Sequence, residues 1–211
     1  MSPADRRTIL AKLAHRLNLR GPRRDLPALV LMSDEKRPGD VLASAAALPR
    51  GAAVILRHYG APERAVLARK LAALCRRRHL KLLIAGDARL ALRLGASGVH
   101  LPEHLAHKGR RFRLKRSWIV TAAAHGLPGL IRAQRAGADA ALLGPVFPSE
   151  SHPVRKPLGP SRFAALARRA PLPVYALGGI GAHNASRLKA SGAIGIAAIG
   201  ALQANRNDVS T

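Results

Sequence analysis

Cysteine is nearly absent. Cys75 stands alone in 211 residues, which excludes a disulfide framework within the chain and any zinc site built from several cysteines. Aromatic residues make up 3%, too few for a platform on which single-stranded bases stack. No apolar run approaches the ~20 residues that span a bilayer. The opening M-S-P-A-D-R-R lacks the apolar core of a secretion signal. Together these absences predict a soluble cytoplasmic chain with no membrane partner. Acids are also scarce: 11 Asp and Glu face 36 Lys and Arg, a formal net charge of +25. Such a field draws in polyanions and small phosphorylated ligands alike. The positives are spread out, however, and only 108–116, K-G-R-R-F-R-L-K-R, is a dense patch. With so few aromatics, the arginines read as the outer faces of helices, and nucleic acid is not expected as a specific partner.

What is abundant is apolar sequence, 48% of the chain, enough for one folded domain with a real core. The pattern centres on 173–181, P-V-Y-A-L-G-G-I-G. The apolar run 174–177 is too short for a buried helix, and Gly178 and Gly179 follow at once. A helix-like segment, 183–190, comes next. A strand, a glycine turn and a helix start in that order let backbone N–H groups approach an anion without side chains in the way. About twenty residues on, the run 194–199 ends at Gly200. Two strand ends with glycine turns, late in the chain, match the phosphate-holding seventh and eighth units of a (β/α)8 barrel.

The rest of the chain keeps the same rhythm. Residues 3–18 form an amphipathic pattern with Ile9, Leu10, Leu13 and Leu17 on one face, an extra helix before the barrel. Strand-like 28–32 precedes helical 41–48; 53–56 precedes 63–77; 81–85 precedes 88–94. Strand-like 98–101 leads into a short basic connection. Then 118–121 precedes 127–136, and 140–143 precedes 161–169. Eight strand-then-helix units predict a single-domain α/β TIM barrel over 28–202. Residues 1–27 form an N-terminal helical extension and 203–211 a polar tail.

Barrel chemistry sits at the C-terminal ends of strands. Those positions hold Ser33 and Asp34; Arg57, His58 and Tyr59; Gly86 and Asp87; Pro102 and Glu103; His125; the segment 144–152; Gly178 and Gly179; and Gly200. Donors and cations dominate, which suits an anionic ligand, a small phosphorylated substrate. His100 ends an apolar strand and reads as a core histidine.

Specific segments carry a resemblance. They are L-R-H-Y from Leu56, L-G-A-S-G-V-H-L from Leu94, A-H-G-L around His125 and A-G-A-D-A-A-L-L-G-P-V-F-P-S-E-S-H from Ala136. P-L-P-V-Y-A-L-G-G-I-G-A-H-N-A from Pro171 and G-A-I-G-I-A-A-I-G-A-L from Gly192 complete the set. In this order they resemble the thiamine-phosphate synthase family of thiamine biosynthesis, which includes the thiazole tautomerases of the TenI type.

The resemblance implies a synthase activity: condensation of an aminopyrimidine pyrophosphate with a thiazole phosphate, assisted by Mg²⁺ and with no organic cofactor. Gly178 and Gly179 match the family's phosphate-holding glycines, and Gly200 replaces a serine usual there. The substrate-binding positions are altered. Of the family's Q-x-R-x-K only Arg57 remains, and the T-x-T-K clamp becomes Ser149, Ser151 and His152 with Glu150 between. Asp87 and Glu103 are acids one or two positions from the family's metal ligands; they read either as shifted ligands for Mg²⁺ or as solvated loop acids. His125 falls where the tautomerase branch carries its catalytic histidine, and an imidazole can both take and return a proton near neutral pH. The eroded metal and pyrophosphate motifs favour a diverged or tautomerase-like member. A conventional Mg²⁺-dependent synthase is the alternative, and a non-catalytic phosphate-ligand or polyanion-binding protein is a third reading. A homodimer is compatible with the sequence.

Overall fold

The computed structural model describes residues 2–37, 39–149 and 156–204. Eight parallel strands close into a barrel in sequence order. They are β1 (Leu29–Met32), β2 (Ala53–Leu56), β3 (Lys81–Ala85), β4 (Gly98–Leu101), β5 (Ile119–Ala124), β6 (Ala140–Leu143), β7 (Val174–Leu177) and β8 (Gly195–Ala198). The barrel closes where Val30 of β1 pairs with Ala197 of β8. Strands in such a barrel are covered on both faces, which is why they read as unbroken apolar runs rather than alternating ones. One set of side chains, Val30, Met32, Ile55, Leu83, Leu142 and Tyr175 among them, packs together inside. The alternate set, including Leu31, Val54, Ile84 and Leu143, packs with the helices.

Tyr175, His100 and Thr121 are buried polar side chains of the interior, and each has a partner. The Tyr175 hydroxyl donates to the Pro27 carbonyl at 2.7 Å. His100 lies 2% exposed with Nδ1 2.9 Å from Thr121 Oγ1, so it is a core histidine, as its apolar strand implies. Burial, aided by the nearby Arg57 charge, pushes its pKa down to about 3. Gly195 makes room for the tyrosine, since a Cβ there would stand 2.9 Å from the Tyr175 ring.

The helices are α1 (Pro3–Arg20), α2 (Val41–Ala46), α3 (Arg64–Arg78), α4 (Ala88–Arg93), α5 (Gly109–Phe112), α6 (Leu127–Arg135) and α7 (Gly159–Arg169). Helix α1 begins with a reciprocal cap: Asp5 N donates to Ser2 Oγ and Ser2 N donates to the Asp5 carboxylate. It buries Leu10, Leu13, Ala14 and Leu17. The extra helix expected before the barrel is present, and it lies against β8, β1 and the segments that follow β7 and β8. Asn18 fixes it there by donating to the carbonyls of Leu26 and Ile194.

That placement fills a gap. The helix expected over 183–190 is only a 3-10 turn, Ala185–Leu188, and β8 is followed by another, Gly200–Leu202. The cause is local. Asn184 Oδ1 accepts from Gly181 N at 2.9 Å while its Nδ2 donates to the Gly179 carbonyl at 2.9 Å. Both Asn184 N and Ala185 N return to the Gly181 carbonyl. The chain turns too tightly to open an α-helix, and α1 supplies the missing cover. Two further differences are smaller. The basic connection after β4 contains a 3-10 segment, Glu103–Lys108, that runs into α5. Strand β5 extends past 121 because Ala122, Ala123 and Ala124 pair with 141–143. Among the described residues no helix is long and apolar enough to cross a membrane.

Candidate active site at the barrel mouth

The mouth has two arcs. On the first, from β6 to β8 and round to β1, backbone comes to the surface. The segment after β6 runs beside the end of β7: Val146 N donates to the Leu177 carbonyl and Phe147 N to the Gly178 carbonyl. That close approach requires glycine. Gly178 and Gly179 have φ of 96° and 64°, a region that side chains disfavour. A Cβ on Gly178 would stand 2.7 Å from Pro145 Cα, and one on Gly179 would collide with the Pro148 carbonyl oxygen. The result is a cleft of about 970 Å³ lined by Gly178, Gly179, Gly200, Ser149 and the Asn184 turn. Arg6, Arg37, His183 and Arg187 also line it, with no carboxylate among the described lining residues. The Arg187 guanidinium lies 5.5 Å from the centre of the Phe147 ring, which holds it at the cleft wall.

The second arc, β2 to β5, is filled with paired side chains. Arg57 donates from Nε to the Ser33 carbonyl at 2.9 Å and meets Asp34 at 3.3 Å. Its backbone N–H donates to Ser33 Oγ, which also lies 2.9 Å from His58 Nδ1. Burial lowers the His58 pKa, and nearby Glu35 and Asp34 partly oppose that. The Tyr59 ring sits 3.5 Å from where a Cβ on Gly86 would be. Arg64 lies 5.7 Å from the Tyr59 ring centre and donates from Nη2 to the Ala85 carbonyl at 2.5 Å. A tyrosine and an arginine therefore cover the end of β3.

At the far side of this arc stands His125, just past β5. Its Nδ1 is hydrogen-bonded to Glu103 Oε2, and Glu103 Oε1 accepts from Arg132 Nη2 at 2.8 Å. Helix α6 admits the carboxylate at Gly129, where a Cβ would stand 2.7 Å from Glu103 Oε1. A carboxylate on Nδ1 places the proton there and leaves Nε2 as the basic nitrogen.

The acids named for Mg²⁺ are otherwise engaged. Asp87 caps α4, its Oδ1 accepting from Leu90 N at 2.8 Å, and both Glu103 oxygens are taken. Among the described residues no group of three His, Cys, Asp or Glu could hold a metal ion. As placed, Asp87 and Glu103 do not fit Mg²⁺, which demands near-octahedral oxygen ligation. Of the other expected site residues, Gly178, Gly179, Gly200 and Ser149 come together at the cleft, while Arg57 is tied to the β1 end. Ser151 and His152 lie outside the described residues. Sequence reading missed Arg6, Arg37 and Arg187, which converge from helix α1, the β1–α2 connection and the turn after β7. Only the general excess of arginine hinted at them.

Fold and mouth define a (β/α)8 barrel protein with a cationic, glycine-built cleft suited to a phosphate. A family model described as thiamine monophosphate synthase matches residues 29–202. The thiamine-phosphate synthase of Thioalkalivibrio sulfidiphilus is 38% identical over 168 residues, 76% of this chain and 79% of that protein. That of Chlorobium phaeobacteroides is 33% identical over 181 residues, 83% of this chain and 88% of that protein. The solved thiamine phosphate pyrophosphorylase from Pyrococcus furiosus has the same fold, with a TM-score of 0.68 at 24% identity, covering 84% of this chain and 87% of that one. The chain belongs to the thiamine-phosphate synthase family of thiamine biosynthesis.

Proposed function

We propose that this family member binds a thiazole phosphate in the cleft of Gly178, Gly179 and Gly200 and moves a proton on its ring through His125. The reading is tautomerase-like and metal-independent. Its carrying observation is Glu103, which stands near the family's metal position yet is bonded to His125 Nδ1 and clamped by Arg132. With Nδ1–H directed at the carboxylate, Nε2 takes a proton from the substrate. Glu103 stabilises the imidazolium so formed, and the same Nε2 returns the proton at the neighbouring position, so that no net charge is lost or gained. The cleft holds the phosphate while the ring reaches from it toward β5, the strand next to β6.

The test is His125→Ala. Isomerisation of the thiazole phosphate, followed by the ring-proton NMR signals, is expected to fall 10²–10⁴-fold, with calorimetric affinity for the ligand kept within about threefold, because the phosphate cleft is untouched. Unchanged isomerisation would discard the reading.

The relatives' name favours a second reading, Mg²⁺-dependent condensation with release of pyrophosphate. Pyrophosphate release on mixing the two substrates, abolished by chelator, would put that reading in place of the first.

A further inference from the structure

Position 200 has no side chain, and an arginine occupies the space. A Cβ on Gly200 would stand 2.8 Å from Arg37 Nη1. A side chain at 200 would therefore oblige the tip of Arg37 to shift from its present place. Arg37 comes from the connection between β1 and α2, with its Nε 3.8 Å from Asp34 and its side chain 19% exposed. Asp34 is shared, since it also meets Arg57 at 3.3 Å. The tip of Arg37 thus lies at the end of β8, in the same cleft as Gly178, Gly179 and Arg187. A guanidinium so placed has a planar fork of donors that matches two oxygens of a phosphate at once. Arg6 and Arg187 line the same cleft, so an anion there would meet three guanidiniums, Arg37 being approached as well by Asp34.

We propose that Arg37 is a phosphate-recognition residue of this cleft and that glycine at position 200 serves to admit its guanidinium. The inference takes the cleft's location from the proposed function but not the identity of the ligand. It applies to any phosphate monoester, with the β1–α2 connection joining the strand 7 and 8 turns as a third wall of the site.

The experiment is calorimetry of inorganic phosphate with the full chain and four variants: Arg37→Ala, Arg37→Lys, Gly200→Ser and the double variant Arg37→Ala with Gly200→Ser. Wild-type protein is expected to bind phosphate. Loss of a charge-assisted, two-pronged contact should weaken binding about tenfold or more in Arg37→Ala, and by less in Arg37→Lys. Gly200→Ser should weaken binding on its own by displacing the arginine, yet add almost nothing once Arg37 is gone. That non-additivity is a signature that a merely structural Arg37 would not produce. Arg37→Lys keeps the assignment testable should the alanine variant unfold on the circular dichroism check. The proposal is overturned if wild type does not bind phosphate, if the Arg37 variants bind within twofold of wild type, or if the two single losses add in full. Thiazole phosphate binding no tighter than inorganic phosphate would sink the thiazole reading while leaving Arg37 in place.

Discussion

The two arcs of the barrel mouth are made of opposite materials. From β6 to β8 and round to β1 the rim is glycine and backbone, and among the described residues Arg6, Arg37 and Arg187 line one open cleft. From β2 to β5 the rim is side chain on side chain: Arg57 with Asp34, Arg64 with Tyr59, His125 with Glu103 and Arg132. Among the described residues the cleft of the first arc is lined by arginines and no carboxylate, with Arg37 also reaching Asp34. The second pairs Arg57 with Asp34 and Glu103 with His125 and Arg132, while the buried Arg64 Nε has no partner among the described residues. A two-substrate reaction needs both arcs open to anions, whereas a reaction on one phosphorylated ring needs only the first arc and one proton-moving group from the second. This asymmetry is what supports the proposed proton transfer.

The comparison can be broken at either arc. The largest effect is expected from Gly179→Val. A branched side chain at φ of 64°, aimed at the Pro148 and Phe147 carbonyls, should abolish thiazole phosphate binding, at least ~100-fold by calorimetry, since strain and collision add. Gly51 also has positive φ, 80°, but nothing within 4 Å of its added Cβ. Gly51→Ala should therefore leave ligand affinity unchanged and cost only about 1 kcal/mol of stability.

Within the second arc, Glu103→Gln keeps the shape but removes the carboxylate that fixes the His125 tautomer. Turnover should drop about tenfold, less than for His125→Ala, with KM unchanged because Glu103 does not line the cleft of Gly178 and Gly179. Steady-state kinetics on the two variants would sharpen the division between holding and reacting. Equal losses in KM would show that the arcs are not separate.

The smallest effect concerns stability rather than chemistry. His100 is native in its neutral form, with a folded pKa of about 3 against ~6.5 when unfolded. Between those values the unfolded chain binds more protons, so stability falls as pH drops through that window, by up to about 1.4 kcal/mol per pH unit from this group. Urea unfolding at pH 7, 6 and 5 should show the slope, and His100→Gln should flatten it.

How much of this was legible depended on range. The strands were readable because burial on both faces turns each into a short apolar block bounded by glycine or proline. Strand β5 was cut short because its second half is alanine, a residue that favours no strand and here earns its place only by pairing with β6. The stretch after β7 was misread as a helix. Ala185 and Leu188 recur three residues apart, a spacing that suits a 3-10 turn as well as an α-helix, and the Asn184 hydrogen bonds that decide between them join nearby residues in a geometry no spacing rule shows.

The sequence by itself determined the barrel, its strand order and the glycines at 178 and 179, because burial periodicity and backbone freedom are local properties. Only the tertiary structure decided what the charges do. Whether an arginine faces a helix surface, a carboxylate or an open cleft depends on which distant connection it meets. Arg37 meets Gly200 where β1 closes on β8, and Glu103 meets His125 where β4 pairs with β5.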